Sequence, residues 1–292
     1  MHIIDLVQAL TGDAVAAVGL DGEVVVWQAR SGQLIAHLAT TVESDTNRLA
    51  IVDAGAGLCV IAGSWERREV AAYDLTGAQL WVRSRLRPVA RVAPARDGSA
   101  IAVAFDRGPI QILDSRTGGQ IWSVRGGRAY WQSPEVAVCA VEMASSVAII
   151  ETTTWEQRWV APVTGFAVLA ACFSRDAVLI SDTVTFDEPG RATVSCFTLS
   201  GTSEWQYQSG PEANVPWLGW DAETDQWLGV EHDVNKRHPP MLLRWKRDGE
   251  IVRRDAIRSS SPFVFAGQGK FLVSSDGRVR DTRTTDEVHR LR

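Results

Sequence analysis

The sequence predicts an all-β fold: a single seven-bladed β-propeller of four-stranded antiparallel blades filling residues 1–292. Three observations lead there. A unit of about 42 residues recurs seven times, near the length of a four-strand propeller repeat. Each copy breaks into short β-rich runs bounded by Gly, Pro and Asp. No run carries a sustained i, i+3, i+4, i+7 apolar stripe, so almost no helix is expected.

The clearest copies are Asp21-Gly22-Glu23-Val24-Val25-Val26-Trp27 running into Arg30-Ser31-Gly32, then Tyr73 to Trp81, then Leu113 to Trp122. Weaker copies centre on Trp155, Gly201, Gly249 and Asp286. The blades fall approximately at 1–40, 41–86, 87–126, 127–163, 164–210, 211–258 and 259–292. Each holds strands a to d, from the axis outward. In blade three, strand a is Val89–Ala93 and Pro94 to Gly98 turns the chain. Strand b is Ala100–Phe105, Asp106 to Pro109 turns again, c is Ile110–Asp114 and d is Gln120–Val124. The b strands Ala14–Gly19, Leu58–Ala62, Ala100–Phe105, Val136–Val141 and Ala177–Ile180 are nearly all apolar. That suits strands covered on both faces by neighbouring blades.

Turns and links follow from the same parsing. Gly55-Ala56-Gly57 and Gly267-Gln268-Gly269-Lys270 read as a–b turns; the latter lacks the spacing and following helix of a phosphate loop. The b–c loops lengthen in blade five (Thr183 to Arg191) and blade six (His232 to Pro240), and the Thr40 to Arg48 link is long and polar. In an antiparallel blade, b–c loops and d–a links emerge at one end. The variable loops therefore share one face, the expected binding face. The opposite face is expected to be short turns with little chemistry. Met1 starts near strand a of blade one and Arg292 ends strand d of blade seven, so closure without strand exchange is expected.

The net charge of −5 argues against general nucleic-acid affinity. Residues 244–292 nevertheless hold twelve Lys or Arg against seven Asp or Glu. Lys236, Lys246 and Lys270 are the only lysines, an Arg bias expected of a GC-rich bacterial genome. Cys59, Cys139, Cys172 and Cys196 sit in apolar runs without CxxC spacing. They read as buried thiols in a reducing compartment. No basic n-region or long apolar run marks a signal or a membrane span, so the expected location is cytoplasmic.

The stretch Ile112 to Trp122 resembles the Asp-x-x-Thr-Gly-x-x-x-Trp repeat of quinoprotein (PQQ)-like propellers. Tyr73 to Trp81 and Cys196 to Trp205 are similar, each one residue shorter before the Gly. In that family the Trp docks between adjacent blades, which implies inter-blade wedges at Trp81, Trp122, Trp159 and Trp205. A ligand-stacking platform is the alternative use of these rings. Blades one and seven resemble WD40-like repeats, from Asp21-Gly22 to Leu38 and from Asp276-Gly277-Arg278-Val279 to Leu291. They lack the Gly-His dipeptide and the Trp-Asp pair of that family. Both resemblances imply the fold and leave function open.

No catalytic motif emerges, so no enzyme, cofactor or metal is expected. His232, Asp233 and His238 match no standard ligand spacing, and Lys236 and Arg237 would repel a cation. The inner strands are mainly apolar, with Asp5, Asp53, Arg91 and Asp221 as scattered exceptions. The best candidate is a patch on the variable face of blades two to four: Trp65, Arg67, Arg68, Arg85, Arg107, Arg128, Tyr130 and Trp131. Aromatic residues and Arg dominate interface hot spots. An acidic protein segment or a phosphorylated ligand would suit the patch. The expected function is a non-catalytic scaffold or adaptor docking a protein partner there, with no specific nucleic acid and no membrane. The alternative is an enzyme or small-ligand binder with its site at the mouth of the central channel.

Overall fold

A computed structural model describes residues 3–9, 13–19, 21–40, 48–53, 57–163, 165, 167–183 and 191–291. Blade one is β1 (Ile3–Gln8), β2 (Ala14–Gly19), β3 (Glu23–Gln28) and β4 (Leu34–Ala39). Blade two is β5 (Leu49–Asp53), β6 (Leu58–Ser64), β7 (Glu69–Asp74) and β8 (Gln79–Arg83). Blade three is β9 (Val89–Ala95), β10 (Ala100–Phe105), β11 (Ile110–Asp114) and β12 (Gln120–Val124). Blade four is β13 (Ala129–Gln132), β14 (Val138–Glu142), β15 (Ser146–Glu151) and β16 (Gln157–Pro162). Blade five is β17 (Ala167–Phe173), β18 (Ala177–Thr183), β19 (Ala192–Thr198) and β20 (Ser203–Gln208). Blade six is β21 (Ala213–Asp221), β22 (Gln226–Asp233), β23 (Met241–Trp245) and β24 (Ile251–Ala256). Blade seven is β25 (Phe263–Ala266), β26 (Phe271–Ser274), β27 (Arg278–Asp281) and β28 (Glu287–Arg290). Every sheet is antiparallel in chain order, and no helix occurs among the described residues.

The hydrophobic core is divided among the seven blade junctions. Val18, Val24 and Val26 of blade one pack on Ile51, Val60 and Tyr73 of blade two. The same pattern repeats around the ring to blade seven, where Phe271, Val273 and Val279 meet Leu6, Val15 and Trp27 of blade one. The ring thus closes by side-chain packing, since β1 pairs only with β2 and β28 only with β27. Strands β2, β10 and β18 are buried along their whole length, as strands covered on both faces must be.

Several strands differ from the sequence reading. Strand β9 runs through Pro94 to Ala95 instead of turning at Pro94. It is an inner edge strand, where a proline removes no necessary ladder bond. Strands β6 and β18 run on to Ser64 and Thr183, and β14 starts at Val138 instead of Val136. The central parts of the long loops, 41–47 and 184–190, and Gly55 and Ala56 lie outside the described residues.

Each c–d turn is closed by one left-handed residue: Gly32, Gly77, Gly118, Trp155, Gly201, Gly249 and Thr285, with φ from 62° to 93°. Its N–H returns to the end of strand c, as in Gly118 to Asp114 O at 2.9 Å and Thr285 to Asp281 O at 2.8 Å. The seventh repeat therefore anchors on Thr285, one residue before the expected Asp286.

Candidate functional site

The outer strands position the four repeat tryptophans at the blade junctions. Trp81 of blade two donates its indole N–H to Ser115 O of blade three at 2.9 Å, its ring against Gly118. Trp159 reaches Leu199 O at 2.9 Å over Gly201, and Trp205 reaches Arg247 O at 2.6 Å over Gly249. Trp122 instead stacks on Trp155, with ring centroids 4.9 Å apart. At the matching register, blade six places Arg253, bonded to Arg283 O, and blade seven places His289 against Gly32. Neither substitution was legible from residue type.

The face of a–b and c–d turns carries much more chemistry than expected. Arg96 bonds Thr152 O at 3.0 Å across the blade three–four junction. Arg175 pairs with Glu135 at 3.3 Å, and Arg247 pairs with Asp176. Arg283 of blade seven grips Asp221 at 3.3 Å and Glu223 at 2.5 Å in blade six. Buried Arg244 adds bonds to Thr282 O at 2.8 Å and Gln226 at 3.0 Å, and lies 3.7 Å from Asp221. Burial pushes the Asp221 carboxyl up, but the Arg283 and Thr224 hydrogen bonds and the Arg283 charge outweigh it and hold it below the usual range. Much of the basic excess near the C-terminal end is thus spent joining blades six and seven.

The opposite rim differs. The b–c loops and d–a links of blades two to four, residues 65–68, 84–88, 106–109 and 125–128, present Arg67, Arg68, Arg85, Arg87, Arg107, Arg125 and Arg128, all exposed. Their only acids are Glu66 and Asp106. Among the described residues, Arg67 alone of the seven forms an ion pair, with Glu69 at 3.8 Å. The first three of these loops are tied together. Leu86 N–H bonds Arg68 O at 2.9 Å, and the Arg87 guanidinium bonds Arg107 O at 3.3 Å. Arg68, Arg85 and Arg107 adopt φ of 55°, 59° and 49°. Trp65 is 38% exposed, with the Arg48 guanidinium 5.2 Å from its ring centroid. On the same face of blade six, by contrast, Arg237 is neutralised by Glu212 and Asp233, and Arg254 by Glu231.

Two residues expected in this patch lie elsewhere. Tyr130, 2% exposed, packs into the core between blades three and four and donates to Gln132 Oε1 at 2.6 Å. Trp131 packs against the core between blades four and five and lines the axial cavity, with Arg91 5.2 Å from its ring centroid. Both are on β13, whose alternation sends one residue to the junction with blade three and the next to the junction with blade five.

The axis holds a cavity of about 620 Å³. Aromatic side chains from blades four to seven (Trp131, Phe173, Trp217, Trp220, Phe263) face aliphatic ones from blades one to three (Leu6, Leu49, Val92). Asp5 and Arg91 line it too. Beside them, burial pushes the Glu142 carboxyl up despite its bond from Val168 N–H and the nearby Arg91 and Arg128 charges. Among the described residues no group of three or more His, Cys, Asp or Glu is arranged to hold a metal. Asp233 instead accepts from Asn235 N–H at 2.8 Å, and His232 packs edge-on to Trp217. All four cysteines are unpaired, and burial pushes the thiols of Cys59 and Cys139 up to about 11 and about 12.

No family model matches the chain, and no curated protein does. Solved structures resemble it in fold. The β-propeller domain of Cps50 (Swd1) from Myceliophteria thermophila is 12% identical with a TM-score of 0.70, over 96% of this chain and 93% of that one. Hydrazine synthase of Kuenenia stuttgartiensis is 11% identical at 0.69, over 98% and 94%. BamB of Moraxella catarrhalis is 16% identical at 0.61, over 94% and 83%. The likeness is one of fold, and an enzyme stands among these neighbours.

Proposed function

We propose that this propeller is a non-catalytic docking module, holding an acidic segment of a partner protein on the arginine band of blades two to four. One observation carries the reading: arginines elsewhere on the ring are largely neutralised by its own carboxylates, whereas in this band Arg67 pairs with Glu69 and the other six form no ion pair among the described residues. Closely set guanidiniums with few acids beside them suit bidentate contacts to carboxylates. The surface is Trp65 with the seven arginines; Tyr130 and Trp131 leave it. Four unpaired, core-facing thiols support a reducing, cytoplasmic setting.

The combined variant Arg67→Glu, Arg85→Glu, Arg128→Glu tests the placement. It is expected to keep the wild-type melting temperature and to weaken capture of the co-purifying partner by about 2 kcal/mol or more. Wild-type recovery by the folded variant would remove the site from this rim.

Left-handed backbone at a residue with a Cβ costs roughly 1–2 kcal/mol relative to glycine. Arg68→Gly with Arg107→Gly is therefore expected to raise the melting temperature while weakening partner capture. A variant that gains stability and loses no binding would show that these two side chains do not take part in partner capture.

The axial cavity favours a second reading, a small-ligand site. Its volume falls within the range of about 300–1,000 Å³ typical of such pockets. A ligand that stabilises the protein and is displaced by Trp131→Ala would support it.

A further inference from the structure

The outer strands form the circumference of the ring, and each leaves one edge unpaired. Exposed edges recruit further strands unless charge, proline or a cover blocks them. Five of the seven carry ionisable side chains along the strand: His37 in β4, Arg158 in β16, Glu204 in β20, Arg253 to Asp255 in β24, and Glu287 with His289 in β28. Strand β12 has none, and β8 has none before its last residue, Arg83. In β8, moreover, Leu80 and Val82 are 49% and 45% exposed on one face, while Trp81 between them packs against blade three. The end of β8 leads directly into Arg85, and Leu86 ties that link to the Arg68 loop.

A weakly protected edge with two exposed apolar side chains and the arginines Arg68 and Arg85 thus meet on blade two. We propose that the partner segment adds to β8 as a fifth strand, alternate apolar side chains over Leu80 and Val82, with an acidic stretch running off the Arg83 end onto Arg68 and Arg85. This deepens the docking reading above and rests on it. Main-chain hydrogen bonds to the edge would supply affinity, the two apolar contacts register, and the arginines direction.

The test selects from a library of random short peptides on the full-length protein, then measures the enriched peptides by fluorescence anisotropy. The expected peptides alternate apolar and polar residues and end in Asp or Glu. Leu80→Lys with Val82→Lys should weaken them roughly tenfold or more. If that pair lowers the melting temperature, Leu80→Thr with Val82→Thr, which keeps β-propensity, replaces it. N-methylation along the peptide should abolish binding at every second position only, the signature of an added strand.

Enrichment of no peptide, or undiminished binding to both Leu80/Val82 variants, would overturn the proposal. Loss with Arg68→Glu and Arg85→Glu alone would keep docking on the rim and refute the added strand. Loss with Ile121→Lys in β12 alone would move the edge to blade three and refute β8. Dimerisation of the protein that the Leu80/Val82 variants reverse would make a second copy the occupant, against the proposal.

Discussion

Asp221→Asn is expected to destabilise the ring by about 3–5 kcal/mol, because it strips the partner from buried guanidinium charge. The Asp221 side chain is 1% exposed and lies between Arg283 at 3.3 Å and Arg244 at 3.7 Å. Arg244 is itself buried, and burial lowers its pKa while Asp221 opposes that shift. Asparagine keeps an acceptor for Thr224 but offers both arginines no charge. Blade six has no tryptophan at the wedge register, so these ion pairs and the apolar cluster of Leu228, Val230, Phe263 and Phe265 hold that junction. The pH dependence has a definite sign. The Asp221 carboxyl is held below its ordinary value when folded, so its stabilisation is present above about pH 4 and is lost as the pH falls through the lower folded value. Melting curves of wild type and variant should differ most near neutrality and converge in acid. A constant gap across that range would show that the carboxylate charge is not what matters.

Trp159→Ala is expected to cost about 3 kcal/mol, the lower end for removing a large aromatic, since the ring is only partly buried. It covers Gly201, tilts against Phe197 at 5.6 Å and donates to Leu199 O at 2.9 Å. Trp159→Phe should keep most of the packing and lose about 1 kcal/mol with the hydrogen bond. Neither should alter partner capture below its melting temperature, because blade four contributes this ring to the junction with blade five and not to the arginine band. Lost capture with unchanged melting would reassign Trp159 from docking of blades to recognition.

Period and turn chemistry carried most of the fold. A left-handed residue is needed once per blade, and glycine fills that place in five of seven turns, so the repeat is visible in sequence. Where Trp155 and Thr285 fill it, the signal weakens, and the seventh anchor slips by one residue. The channel and the rim were harder to separate. Tyr130 and Trp131 are adjacent in sequence but face the junctions on opposite sides of blade four, because one step along a strand inverts the side chain. The ion pairs between blades were invisible for a different reason. Arg283 and Asp221, or Arg247 and Asp176, belong to different blades, and only the closed ring brings them together. Read locally, those arginines resemble the ones on the rim of blades two to four. Only the fold shows which are neutralised.

Hydrogen–deuterium exchange of the full-length protein, with and without the partner recovered from its native cell, tests docking on the arginine band most directly. Slowed exchange is expected in residues 65–68, 84–88, 106–109 and 125–128, which form the rim of blades two to four. Unchanged exchange there, with protection confined to turns at the opposite mouth such as 133–137 and 222–225, would contradict it and favour the axial cavity.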